Sequence, residues 1–355
     1  MTLGIDLSSD IISYSFFQNN AIKTYYIKES IGFRTNNVFN NKSTLLPLIK
    51  GIKNTAEKML NSTVDKAVYS VPEYCTNFQY GLLRDVSILT GIAPLRIMNS
   101  NSSIALSICE EICFDPLTYN NDCFINLVCS IYSNYAELSA FIYIDNVLEM
   151  LGTTTILINS IISEKDEIKL KDRIGSELHQ FDNDLNIHKM IDSRSFLFLN
   201  NSGGNDAISK LFTAAFQTIF CIKRLNISSS ASKGAIIRAN HVEGIIAATL
   251  IMSTQNKAIS ACLGENGEHK KLVDYYTHLP TKRADCLLVS TEPELFIYEG
   301  NYINRKYDTI IGEFSIPENF EGHQIWVTVD IDIDMRIKVS VSDDSQNIII
   351  PYTLL

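Results

Sequence analysis

Leu3-Gly4-Ile5-Asp6-Leu7, Ser8-Ser9-Asp10 and Ile11-Ile12-Ser13-Tyr14-Ser15-Phe16-Phe17 form the stretch that decides the fold. It reads as a strand ending on an acid, a tight turn, and a second strand. Such a turn cradles a phosphate when its backbone N–H groups are bare and glycine lets the ligand come close. This one has no glycine and adds the carboxylate of Asp10. A carboxylate about 4 Å from a phosphate oxygen costs about 1 kcal/mol in bulk water and about 4 kcal/mol near a protein surface. The scaffold reads as a nucleotide-binding one, and its loop reads as disabled.

Working outward, residues 21–28 complete a three-stranded meander through the Asn19-Asn20 turn. A helix over 43–60 follows, with Leu45, Leu48, Ile49, Ile52, Ala56 and Leu60 as its apolar stripe. Strand 67–71, helix 76–90, strand 94–98 and helix 101–112 come next. The pattern then restarts. Residues 123–132, 135–144 and 147–152 read as a second meander, followed by helix 160–178, strand 195–200, helix 205–219 and helix 231–250. The repeat of element order predicts an internal duplication. After a polar linker at Met252–Lys257, short strands predominate: 286–290, 294–299, 308–315, 324–331 and 335–342. This predicts an antiparallel β-domain.

The 355 residues suffice for two or three domains, and 46% hydrophobic with 20% charged residues is an ordinary soluble composition. A net charge of −10 argues against direct nucleic-acid binding. No apolar run spans a bilayer, and the N-terminus lacks the basic region of a signal peptide, so a cytosolic protein is expected. Asn-x-Ser/Thr sequons at Asn41, Asn61, Asn101, Asn200 and Asn226 are then expected to be unused. The eight cysteines include no C-x-x-C, so they read as free thiols in a reducing compartment rather than a zinc site. None of the six histidines pairs in sequence with a nucleophile. Asp330, Asp332 and Asp334 alternate as on one exposed strand face, without the turn glycine and extra oxygens of a calcium site.

These pieces in this order resemble the heat-shock-70 (DnaK-like) chaperone family. Leu3–Leu7 is similar to its opening phosphate strand. Thr63-Val64-Asp65-Lys66-Ala67-Val68-Tyr69-Ser70-Val71-Pro72-Glu73-Tyr74 resembles its T-V-x-x-A-V-x-x-V-P-x-[YF] segment. Thr90-Gly91-Ile92-Ala93-Pro94-Leu95-Arg96-Ile97-Met98-Asn99, with Ser103-Ile104-Ala105-Leu106, resembles its G-L-x-x-L-R-I-I-N-E-P-T-A-A-A-L. Ser202-Gly203-Gly204 resembles its adenosine loop, and Pro280–Arg283, Ile297–Gly300 and Val327–Val341 its substrate-binding β-domain. The collinear order carries the resemblance.

The departures bear on activity. The family's second phosphate loop is D-x-G-G-G-T, and the matching stretch here is taken as Asn126-Leu127-Val128-Cys129-Ser130-Ile131. Against that pattern, the subdomains between Gly32 and Ser43 and between the second meander and Ser195 read as reduced, and a lidless β-domain is expected. Among relatives, the noncatalytic subunit of the eukaryotic ribosome-associated complex is most similar, including Leu263-Gly264-Glu265-Asn266-Gly267-Glu268-His269.

The resemblance implies an actin-like (ribonuclease-H-like, duplicated) α/β nucleotide-binding-type domain over 1–251, with lobes of about 1–122 and 123–251. A linker at 252–258 and a lidless all-β substrate-binding-type domain at 259–355 follow. It implies vestigial nucleotide contacts at Asp6, Ser8, Ser9, Ser202, Gly203 and Gly204, no catalytic residue and no metal. No cofactor is expected, though ATP held without turnover stays open. The implied partners are a zuotin-like J-protein, the ribosome through it, and nascent polypeptide, in the cytoplasm. The alternatives are an ATP-binding chaperone with residual hydrolysis and a free-standing peptide-binding module.

Overall fold

The computed structural model describes residues 1–355 except 9–10, 20, 28–38, 113–123, 145–146, 159–163, 192–194, 202–205, 222, 227–230, 246–249, 253, 256, 265–266, 268, 290–292, 301–307 and 355. The chain divides into two compact units, Met1–Cys75 with Leu82–Met252, and Thr76–Gly81 with Ser253–Leu355.

In the first unit, β1 (Thr2–Asp6), β2 (Ile12–Gln18) and β3 (Ala21–Ile27) form the expected antiparallel meander. After them come α1 (Lys42–Leu60), β4 (Lys66–Val71), α2 (Asn77–Leu89), β5 (Ala93–Asn99) and α3 (Ser100–Ile112). β4 and β5 join in parallel, giving the order β3-β2-β1-β4-β5. β1 is central, which explains why Leu3, Ile5 and Asp6 are all buried.

The second half repeats the plan. β6 (Phe124–Ile131), β7 (Tyr135–Ile144) and β8 (Val147–Leu157) form a meander, followed by α4 (Glu164–Leu185), β9 (Phe196–Asn201), α5 (Asp206–Phe220), β10 (Lys223–Asn226) and α6 (Ala231–Val242). Its sheet runs β8-β7-β6-β9-β10, the order of the first, with β11 (Leu250–Met252) added parallel to β8. Two sheets with one strand order are consistent with a duplicated, actin-like organisation.

Local chemistry fixes the helix ends. Asn41 caps α1 by accepting from Ser43 N at 2.8 Å, and Asn61 ends it in the left-handed region (φ 47°). On α5, Ile208, Phe212, Phe216 and Phe220 recur at one turn and bury as a ladder. The helix expected over 231–250 stops at Val242. Gly244 takes a φ of +71° while its N–H bonds His241 O and that of Ile245 bonds Asn240 O. This is a Schellman closure, which frees the following residues to form β11.

One apolar cluster spans both sheets of this unit. Val68 and Met98 from the first sheet, Val128, Phe141 and Phe198 from the second, and α3 and α6 between them share it. Two glycines permit the close packing. A Cβ on Gly4 would lie 2.3 Å from Ser232 O and Ile236 N, and one on Gly234 would lie 1.7 Å from Ser103 O. Ser232 Oγ also meets the hydroxyls of Ser13 and Ser15 at 2.9 Å each. Glu243, just past α6, accepts from Lys66 Nζ at 2.8 Å and from Thr2 Oγ1 at 2.7 Å.

The second unit is β-rich: β12 (Thr254–Gln255), β13 (Ala258–Leu263), β14 (Lys270–Val273), β15 (Thr277–His278), β16 (Thr281–Leu288), β17 (Glu294–Gly300), β18 (Thr309–Ser315), β19 (Gln324–Ile331), β20 (Ile337–Asp343) and β21 (Ile348–Leu354). They form antiparallel sheets of order β14-β13-β17-β18 and β16-β19-β20-β21, with β12 paired to β15. Ile325, Val327, Val329, Ile331, Ile337, Val339 and Val341 alternate inward.

The structure corrects three expectations. The supposed polar linker at 252–258 contains the end of β11, all of β12 and the start of β13, and Thr254 and Gln255 are buried. Strands β12 to β15 and β21 were missed because they are short or lack alternation. Only Asp330 lies on β19. Asp332 turns the β19–β20 hairpin by accepting from Asp334 N and Arg336 N, the local use of an aspartate that competes with strand pairing.

Candidate functional site

The first residue after Leu7, Ser8, turns back onto the acid of β1. Asp6, buried at 5% exposure, accepts through Oδ1 from Ser8 N at 2.9 Å and from Ser8 Oγ. The backbone N–H and hydroxyl that Ser8 could offer a phosphate both serve this carboxylate.

The hairpin turn between β6 and β7 closes on the same spot. Tyr132 N donates to Tyr135 O at 2.9 Å, and the two rings stack at 4.5 Å. Tyr135 Oη donates to Ser8 O at 2.7 Å, Tyr132 Oη donates to Ser8 Oγ at 3.3 Å, and Tyr74 meets Tyr135 edge-on at 5.3 Å. The stacked phenols of the second turn thus sit against Ser8.

Behind them lies Glu137 on β7, fully buried. Its Oε1 accepts from Glu73 N at 2.7 Å and its Oε2 from Ser100 Oγ, at the first residue of α3. Burial is the main influence on this carboxyl and raises its pKa. The Ser100 and Glu73 bonds oppose the rise and the nearby Asp6 charge adds to it, leaving the pKa at about 7. The phenols of Tyr132 and Tyr135 are pushed well up, first by burial and then by Glu137.

Asn101 ties the same elements together. Its Nδ2 donates to Ser139 Oγ at 2.9 Å, Glu137 O at 3.1 Å and Val128 O at 3.2 Å, and its Oδ1 accepts from Ser130 Oγ at 2.6 Å. Asn101 is fully buried, so its sequon is inaccessible in this fold. A satisfied buried network of this kind fixes one geometry.

The second phosphate loop needs a correction. Residues 126–131 lie inside β6, and the turn that faces Ser8 is Tyr132-Ser133-Asn134. Matching by motif spacing placed the loop too early. The absence of glycine holds at the corrected place, and the blocking groups become the tyrosines. Of the expected contact residues, Asp6 and Ser8 are brought together. Ser9, Ser202, Gly203 and Gly204, with Asp10, lie outside the described residues. Among the described residues, no three His, Cys, Asp or Glu side chains gather as a metal site would require.

A group placed beside Ser8 would find its N–H and hydroxyl engaged by Asp6 and would have to displace two stacked rings. Sequence reasoning missed Tyr132, Tyr135, Glu137, Ser100 and Asn101. The available signal was a glutamate in the otherwise apolar and small run Tyr135-Ala136-Glu137-Leu138-Ser139-Ala140, which only a specific buried partner justifies.

Residues 8–109 match the family model of the Hsp70 protein. The match begins at Ser8 in the self-capped turn and ends at Cys109 on α3, so it covers most of the first sheet and its helices. It supports Hsp70 family membership and, at that level, a chaperone-type function. No curated protein matches the chain.

Proposed function

We propose that this chain is a noncatalytic Hsp70-type chaperone subunit, of the kind found in the ribosome-associated complex. On this reading it binds a zuotin-like J-protein in the cytoplasm, reaches the ribosome through it, and assists cotranslational folding of nascent chains. The observation that carries the noncatalytic reading is the closure of Tyr132 and Tyr135 onto Ser8. Phosphoryl transfer relies on donors aimed at the transferring group. Here the backbone N–H and hydroxyl of Ser8 are engaged by Asp6, and the opposite turn presents phenol rings. The shared apolar cluster supports a body that holds its arrangement without nucleotide. The acidic net charge of −10 supports ribosome contact through a partner rather than directly.

The test is affinity purification of the intact protein from native lysate. A J-protein and ribosomal proteins are expected to co-purify in an amount unchanged by ATP. Recovery without either, from a monomeric and well-folded protein, would overturn the reading.

A further inference from the structure

A groove of about 480 Å³ crosses the outer face of the β16-β19-β20-β21 sheet. Trp326, Thr328, Ser340, Ser342, Asp344 and Gln346 supply its aromatic and polar lining. Trp326 is the sole tryptophan of the chain, and it is 40% exposed. Its Nε1 donates to Asp344 Oδ1 at 3.1 Å, which fixes the ring beside a carboxylate.

The register orders the remaining groups. Trp326 pairs across the ladder with Ser342, and Thr328 with Ser340. Directly paired residues share a face about 5 Å apart, so the hydroxyls flank the indole on the strand that carries it and on its neighbour. None of these three hydroxyls is engaged in a hydrogen bond among the described residues, and Asp344 has no Lys or Arg partner among them. The groove therefore combines an indole, a carboxylate without a counter-ion and several acceptor oxygens, with no basic residue in its lining.

We propose that this groove receives an arginine side chain from an extended segment of a partner protein, with the guanidinium stacked on Trp326 and paired with Asp344. Arginine matches the site in three ways. Its planar cation stacks on an indole. It has five N–H donors and no acceptor, complementary to Asp344, Gln346 Oε1 and the three hydroxyls. Its charge complements both Asp344 and the stretch Ser253–Leu355, which holds sixteen acidic residues against nine basic ones. Strand addition at the β21 edge is disfavoured because Pro351 lies within that strand and has no N–H. The inference rests on this face alone and is independent of the noncatalytic reading.

The single indole is also the reporter. The full-length protein, labelled with nitrogen-15, is titrated with acetyl-Gly-Ser-Arg-Gly-Ser-amide at about 20 mM salt, following the one indole N–H resonance. A saturable shift is expected, with affinity about tenfold weaker for the citrulline peptide and for Asp344→Asn, which keeps the indole acceptor and removes the charge. Calorimetry of Trp326→Ala is expected to show no binding. The proposal is overturned if the resonance is unmoved at about 5 mM peptide, if the citrulline peptide binds equally, or if Asp344→Asn leaves the affinity unchanged.

Discussion

Replacing Glu137 by Gln tests the electrostatics of the closed cleft. The carboxyl has an ordinary value of 4.5 and is raised to about 7 in the fold, chiefly by burial. A raised carboxylic pKa means that the folded protein holds the proton more tightly than the unfolded chain. Stability from this group is full below 4.5, falls as pH climbs from there through about 7, and is level above it. At roughly 1.4 kcal/mol per pH unit, the whole interval amounts to about 3 kcal/mol. Glutamine cannot ionise, so the variant lacks this loss. Its own changed bonds to Ser100 and Glu73 shift its stability by a pH-independent amount. The stability of Glu137→Gln relative to the parent should therefore rise by about 2 to 3 kcal/mol between pH 5 and 8.5. Urea unfolding of both proteins, followed by circular dichroism at several pH values, measures this difference, in which titrating groups that do not interact with Glu137 cancel. A difference that stays flat to within about 0.5 kcal/mol, or that falls with pH, refutes the reasoning.

Tyr135→Phe removes the donor to Ser8 O and should lower stability by about 1 kcal/mol, measured by the same unfolding; an unchanged midpoint would show that this contact contributes nothing. Gly234→Ala drives a methyl group against Ser103 O and should cost about 3 kcal/mol or more, so a variant with the parent melting temperature contradicts the close approach. Calorimetry with ATP and magnesium should give no dissociation constant below about 10 μM, a value equivalent to about 7 kcal/mol. Single-turnover hydrolysis should be undetectable, and turnover abolished by Asp6→Ala would sink the noncatalytic reading.

The repeated order of elements was legible because each half opens on three strands of clear hydrophobic content, and because Asn19-Asn20 and Ser133-Asn134 mark their turns. The length of α6 was not, since a run rich in Ile and Ala continues past Gly244, where only backbone geometry ends the helix. The linker was misread because Thr254 and Gln255 are polar, whereas in the fold they are buried and paired with β15. In the cleft, Asp6 and the absence of glycine could be read directly from residues 3–10. Tyr132 and Tyr135 could not, because their role depends on two turns more than 120 residues apart meeting at Ser8. Glu137 was passed over for a similar reason. Its partners Glu73 and Ser100 come from the other half, so the glutamate in its apolar run signals a buried partner without saying which.

The position of α6 has a dynamic consequence. In a two-lobed body with a hinge, each lobe could open and expose its backbone separately. Here α6 packs its backbone against Gly4 of one sheet and lies in the same apolar cluster as Val128 and Phe198 of the other. Loosening either half would take apart the apolar cluster in which this helix is buried. Its amides should exchange with solvent deuterium only when the entire first unit unfolds, making α6 among the slowest-exchanging segments of the chain and binding the two halves into one cooperative foldon.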